Sequence, residues 1–503
     1  MIRALYFLVL LSLPLSCARG DDAALEKGDG IVTVHPHPAR RGLLRNPATG
    51  WVLYAESSTK KDFPVAEDYW AQADPYVPYA SIFYIRCTWA QMEPEEGHFA
   101  WKENENFKRL IQDAADRHLH LAFRVIVNSR DCPVPATPDW VKAAGAAGYT
   151  ENGTGKQALW TPQVDDLIFR HKFEKFVAAF AQGFDDPARV DYIDGGSLGW
   201  WGEMHHVETQ DPKETFEWIC RTYGDAFHHV LLGLQAGSQF QEQGKLDPMA
   251  FEQYGYVARS DSLGSFWLNE DKQKELAELY PKVPFYGESC YFSLDHWDIW
   301  KKDTRRSLNT VRDVLQATYD DALTCHANTL DLREPSDAAT MMREAPDLLS
   351  AFISNAGYRL YPTSIAYPRE IEAASAVPIK HTWKNLGAGI LPNDNVRWGR
   401  KFHVGFGLID AQSKQLVATA VDPDADPGQW ITGRNFSSTC SALFSPTPPA
   451  GTYQLGVALV NTQDDNTPGI ELATLRLPRL GGWILLGEIK VASPGSTATA
   501  PPD

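Results

Sequence analysis

No two of the seven cysteines in this 503-residue chain fall at Cys-x-x-Cys spacing. Their scatter (Cys17, Cys87, Cys132, Cys220, Cys290, Cys325, Cys440) signals neither a zinc site nor a disulfide framework. Positive charge is scarce: 47 Lys and Arg stand against 64 Asp and Glu, a formal net charge of −17. That balance argues against nucleic acid or an anionic membrane surface as the main partner. Beyond residue 20 no run is apolar enough to span a bilayer. No Gly-x-Gly-x-x-Gly turn follows the first strand-like run, so a doubly wound dinucleotide-binding sheet is only the runner-up. Without His-Glu-x-x-His spacing, Glu203, His205, His206 and Asp261 are not read as a metal centre, and no cofactor is expected. Ser289 has no Gly-x-Ser-x-Gly elbow around it, which speaks against a serine hydrolase.

What is present is a folded composition, 44% hydrophobic and 22% charged, at a length that favours two or more domains. The 16 Trp, 19 Tyr and 23 Phe fill a core or offer flat faces to the apolar C–H side of sugar rings. The first 20 residues, MIRALYFLVLLSLPLSCARG, place one Arg before an apolar run too short to cross a membrane. This is expected to be an export signal, giving a periplasmic, extracellular or surface location. Cys17 follows Leu-Pro-Leu-Ser, similar to a bacterial lipoprotein cleavage box, and is the candidate for a lipid anchor; cleavage at residues 18–20 is the alternative. Residues 21–42 read as a linker.

Between 43 and 332, eight short apolar runs alternate with segments of helical period. The runs are 50–56, 81–89, 120–129, 190–203, 229–237, 255–266, 283–292 and 325–332. Strand–helix alternation with right-handed crossovers and eight units implies a (β/α)8 TIM barrel, in the α/β class. Residues 333–377 connect it to a different grammar at 378–491. There, runs such as KFHVGFGLIDA and GTYQLGVALVN are separated by Gly, Pro, Asn and Asp, as in an antiparallel β-sandwich. Residues 492–503 read as a disordered tail.

Functional residues of such a barrel sit where strands run out into loops. Strand two ends in Arg86, Thr88 and Trp89, and strand three carries Arg124 and ends in Asn128. Strand four ends in LGWWGEMH, with Trp200, Trp201, Glu203 and His205; strand six offers Arg259 and Asp261. Strand seven gives Glu288 and Tyr291, and strand eight Asn328 and Asp331. Glu203 and Glu288 therefore face each other across the mouth. Two carboxylates flanking a glycosidic bond supply an acid for the leaving oxygen and, on the other face, a nucleophile if close or a base if far apart. Tryptophans beside Glu203 are expected to raise its proton affinity, and arginines near Glu288 to keep it ionised. Trp89, Trp200, Trp201, Tyr291 and Trp297 are candidate sugar platforms; Arg86, Arg124, Asn128, His205 and Asp261 are candidate polar binders. Glu93, Glu95 and Glu96 are expected to shape a turn, and Asp191 and Asp194 to be buried structural acceptors.

The stretch YIRCTWAQMEPEEGHFAWKE resembles the Arg-x-x-Trp, Glu-Pro and Gly-x-Phe-x-Trp segment near the start of clan A glycoside hydrolase barrels. The NPATGW opening, the WWGEMH motif and the C-terminal strands are similar to a bacterial family of exported proteins with a C-terminal sandwich. Together these likenesses span about 43 to 491. The clan A resemblance implies a retaining glycosidase with Glu203 as acid/base and Glu288 as nucleophile. That clan usually has asparagine before the acid/base glutamate; here the position is Gly202, with Asn128, His205 or Asn269 as substitutes. The expected partner is a carbohydrate, and the competing expectation is a non-catalytic glycan-binding surface lipoprotein.

Overall fold

The computed structural model describes residues 24–28, 30–153, 157–237 and 247–493. The expected export signal, Cys17 and the tail from residue 494 lie outside the described residues. Eight parallel strands close into a barrel: Gly50–Glu56, Ala80–Thr88, His120–Ile126, Val190–Asp194, Leu231–Gln235, Tyr256–Leu263, Phe285–Ser289 and Ala327–Arg333. They are called barrel strands one to eight below. Each falls within its expected run except for a residue at the edges of the second and eighth. Most of their residues are buried, because helices cover one face and the barrel interior the other. The outer layer follows helical periodicity. In Leu167–Phe184, Phe169, Phe173, Phe176, Phe180 and Phe184 recur on one buried face, and Asp166 caps the start by accepting from the Phe169 N–H at 2.9 Å.

Side chains along a strand alternate faces, so counting in twos separates barrel interior from barrel exterior. Phe83, Ile85 and Cys87 point outward into the helix-packed core, while Ile82 and Tyr84 point inward. One interior layer holds Tyr54, Tyr84, Tyr192 and Tyr286, with neighbouring ring centroids 5.0, 5.8 and 4.9 Å apart. Two residues further along each strand the interior turns polar: Glu56, Arg86, Arg124, Asp194, Gln235, Arg259, Glu288 and Asp331. Backbone register sets the first four side by side. A tyrosine floor thus carries a charged ring at the C-terminal ends of the strands.

Most of the remaining strands form two mainly antiparallel sheets. One runs Ala24–Gly28, Ile31–His35, Leu360–Pro368, Val377–Asn385, Phe436–Ala442; the other is centred on Phe402–Asp410, Gly451–Asn461 and Trp483–Ala492. The region expected as a linker therefore supplies two strands of the first sheet, and the expected connecting segment a third, Leu360–Pro368. Ile31–His35 shows alternating burial and pairs with Leu360–Pro368, so the sheet draws on chain from both sides of the barrel. Buried side chains of the sheets share one core with the lower barrel interior: Val52, Ile82 and Val257 cluster with Trp398 and Phe402. Polar clamps join the same surfaces at the strand starts. Asn328 Nδ2 donates to the Ala48 and Ile390 carbonyls at 2.8 and 2.7 Å, and Asn395 Nδ2 to the Gly255 carbonyl at 2.8 Å. Asn328 is thus a floor residue, not a mouth residue as its place on strand eight suggested. The sheets plug the N-terminal end and leave the charged ring at the other. Among the described residues no helix is long and apolar enough to cross a membrane.

Candidate active site

Glu203 comes from the turn after strand four and Glu288 from strand seven; they are 5% and 3% exposed. Each is held by an arginine from the barrel interior. Arg124 Nη1 donates to Glu203 Oε1 at 2.6 Å, and Arg86 Nη1 lies 3.4 Å from the same oxygen. Arg259 Nη2 donates to Glu288 Oε2. The two arginines meet on Asp194, whose Oδ2 lies 2.9 Å from Arg124 Nε and 3.4 Å from Arg259 Nε. The tyrosine layer supports this network from below. Tyr84 donates its hydroxyl to Asp194 Oδ2 at 2.6 Å, and the Tyr54 hydroxyl accepts from Arg86 at 3.0 Å.

The electrostatics separate the two glutamates. Burial pushes the Glu203 carboxyl above its ordinary range; Arg86 and Arg124 oppose this, and Asp261 and Glu288 reinforce it. Burial acts on Glu288 in the same sense, but Arg259, Arg124, Arg333 and Arg86 outweigh it and hold that carboxyl below the ordinary range. Asp331, on strand eight, is pushed up by burial and then by Glu288. Its Oδ1 accepts from the Ser289 N–H at 2.8 Å and from the Ser289 hydroxyl at 3.3 Å.

The turn that presents Glu203 is sharply wound. Ser197, Gly199, Trp201, Gly202, Met204 and His206 all have positive φ, between 50° and 70°. A bridge between Trp200 and His205 closes it. At Gly202, φ is +70° and a Cβ would sit 3.3 Å from Arg124 Cδ and from the Ile126 side chain. The position where clan A enzymes carry asparagine is filled from behind by Arg124. Residues 195–199, GGSLG, match Gly-x-Ser-x-Gly, a spacing the sequence reading did not single out. Ser197 is fully buried and its hydroxyl pairs with that of Tyr223 at 2.6 Å, which commits it to the turn.

The expected sugar platforms divide. Trp89 is a correction: it is fully buried among Trp140, Phe173 and Phe176 and donates to Glu93 at 2.8 Å. It opens the short helix Trp89–Met92 just past strand two and joins the same helix-packed core as Phe83, Ile85 and Cys87. Trp200 is half-buried, with both ring faces occupied. The His206 ring and the Arg130 guanidinium each lie 3.6 Å from its centre, too close to share one face. Trp201 is half-buried, with its indole N–H on Asp131 at 3.2 Å, and Tyr291 is 42% exposed. Burial raises the Tyr291 hydroxyl, and Cys290, Glu203 and Asp261 add to this. Trp297 packs against Trp300 on the short helix Trp297–Trp300.

Among the polar candidates, Arg86 and Arg124 serve the carboxylate network. Asn128 ties down the hairpin Gly148–Glu151 and Leu159–Pro162, which the sequence reading missed, through Tyr149 and Glu151 at 3.3 Å each. Asn269 caps the helix Glu270–Glu278. That leaves His205 and Asp261, both half-buried, to face a ligand beside Glu203. One donor atom from each of Glu203, His205 and Asp261 lies within 4.8 Å of the others, a set that could gather a cation. The donor chemistry fits poorly. Two guanidinium groups already address Glu203 Oε1, and Gln235 Nε2 donates to Asp261 Oδ1 at 2.6 Å. Glu93 behaves as the turn acid expected of it, accepting from Trp89 and from the Gly97 N–H at 2.8 Å.

No protein-family model matches the sequence, and no curated protein matches it. Solved structures with a similar arrangement include endo-glycoceramidase II from Rhodococcus sp. (16% identity, 83% of this chain and 100% of that one, TM-score 0.40). An exo-β-1,4-mannosidase from Opitutaceae bacterium strain TAV5 aligns over 63% of this chain and 57% of its own (14% identity, TM-score 0.36). A glycoside hydrolase family 5 enzyme from Prevotella bryantii B14 aligns over 63% and 98% (12% identity, TM-score 0.37). At this level of identity and superposition the likeness bears on no residue's role.

Proposed function

We propose that the chain is a glycoside hydrolase that cleaves an O-glycosidic bond with retention, using Glu203 as acid/base and Glu288 as nucleophile. The observation that carries this reading is the split of two buried carboxylates, one after strand four and one on strand seven, the first inclined to hold a proton and the second to lose it. The Arg124 hydrogen bond ends on Oε1 of Glu203, and that of Arg259 on Oε2 of Glu288. One oxygen of each carboxyl is therefore left for chemistry. In the first step Glu288 Oε1 bonds to the anomeric carbon as Glu203 gives its proton to the departing oxygen. In the second, Glu203 takes a proton from water, whose oxygen bonds to the anomeric carbon and releases Glu288. Trp201 and Tyr291 supply aromatic faces beside the acid, and His205 is placed for a sugar hydroxyl. The apolar run at residues 4–15 supports export, so the substrate would be met outside the cytoplasm.

The test is a panel of aryl glycosides and polysaccharides with the wild type, Glu203→Gln and Glu288→Ala. Turnover by the wild type, covalent trapping of Glu288 by a 2-fluoro glycoside and rescue of Glu288→Ala by azide are expected. A second reading, a glycan-binding protein without turnover, is favoured by Gly202, where the sugar-binding asparagine is missing. Glycan binding that both variants retain, with no turnover by the wild type, would establish it.

A further inference from the structure

We propose that Asp261 is the charge that keeps the proton on Glu203, the two carboxylates working as a pair in which Asp261 touches no reacting atom. This deepens the reading of Glu203 as proton donor and rests on it. Asp261 lies two residues beyond Arg259 on strand six, on the inward parity, and a carboxylate oxygen of each acid lies within 4.8 Å of the other and of a His205 nitrogen.

Gln235, from the neighbouring strand five, is 4% exposed and donates Nε2 to Asp261 Oδ1 at 2.6 Å. That amide hydrogen bond needs an acceptor at position 261, and a carboxylate accepts more strongly than a neutral group.

The other groups around Glu203 show why a further negative charge is needed. Strands two and three present Arg86 and Arg124 to Oε1, which favour the ionised form. Strand seven presents Glu288, its own charge matched by Arg259, and the following loop presents Tyr291; the Glu203 turn itself adds His205. Glu56 and Asp194 are bound to the two arginines. With the arginines alone, Glu203 would be a poor acid. After burial, Asp261 is the strongest influence favouring its protonated form, ahead of Glu288.

The experiment follows Glu203 directly, without a substrate. Full-length protein labelled at the glutamate δ-carbon is titrated by carbon NMR, with Glu203 assigned by loss of its signal in Glu203→Gln. Asp261→Asn, which keeps shape and removes charge, is expected to lower the Glu203 midpoint by about one pH unit or more. Asp261→Glu, which keeps the charge, is expected to restore it, and Asp261→Ser gives the same contrast should Asp261→Asn fail to fold. An unchanged midpoint in Asp261→Asn overturns the proposal. So does a midpoint that moves on treatment with a chelator, since a bound cation would then couple the two acids. If glycosides are turned over, the alkaline limb of kcat/KM falls to lower pH in Asp261→Asn with the Tm near that of wild type. If none is, the hydrolase reading fails while the titration still decides the pairing.

Discussion

Arg124 and Arg259 approach the same oxygen: Asp194 Oδ2 lies 2.9 Å from one Nε and 3.4 Å from the other. Each arginine then holds one of the two glutamates, so a residue that touches neither Glu203 nor Glu288 fixes where both stand. All three members of this hub are buried. Removing Asp194 leaves two guanidinium groups in the interior sharing one lost counter-charge. Asp194→Ala is expected to cost about 3–5 kcal/mol in urea unfolding, the range for breaking a buried ion pair. Any glycosidase turnover should fall with it. A stability loss below about 1 kcal/mol would mean that the network reorganises easily.

The pH dependence of stability should carry opposite signs from the two glutamates. Glu288 has its folded value below the unfolded one. Its stabilisation is present above the unfolded value and is lost as pH falls through the folded value. Glu203 is raised. Its contribution is complete below the unfolded value and is lost as pH rises through the folded one. Glu203→Gln, which cannot ionise, is expected to flatten the alkaline decline, and Glu288→Gln the acid one. Urea unfolding across the pH range reads both. An alkaline slope unaltered in Glu203→Gln would show that the acid is not held protonated.

Trp89 and Trp201 should separate a core role from a surface role. Trp89→Ala opens a cavity among Phe173, Phe176 and Trp140 and is expected to cost about 3–5 kcal/mol. Trp201→Ala removes a half-buried ring beside Glu203 and should leave Tm within a few degrees while weakening glycan binding, read by calorimetry. Equal stability losses in the two variants would place Trp201 in the core as well.

The same pair shows how far the sequence could be read. Eight strand runs and their order were legible because apolar runs bounded by polar ends are a local signal, and the positions of Glu203 and Glu288 followed from that order. Parity was legible too: Glu56, Arg86, Arg124, Asp194, Gln235, Arg259, Glu288 and Asp331 each stand two residues past an inward neighbour. Applied to strand two, that count places Arg86 inside and Cys87 outside. What could not be read is non-local. One face of Trp200 is covered by Arg130 from another loop, Asn128 is taken by a hairpin 21 to 23 residues away, and Ile31–His35 finds its partner near residue 365. None of these pairings leaves a periodic trace.

Gly202 gives the sharpest prediction at the site. Its φ of +70° disfavours any side chain, and a Cβ would meet Arg124 Cδ at 3.3 Å. Arg124 cannot retreat freely, because its Nε is on Asp194 and its Nη1 on Glu203. Gly202→Ala should therefore cost about 1–2 kcal/mol from the left-handed backbone and loosen the Arg124–Glu203 contact besides. Gly202→Asn, which writes in the residue that clan A enzymes carry there, tolerates the backbone better yet meets the same arginine. It is expected to lower turnover, not raise it, with a smaller loss of Tm than Gly202→Ala. Higher activity in Gly202→Asn would mean that the turn can open away from Arg124, and that the asparagine contact is missing from this site only for want of the side chain.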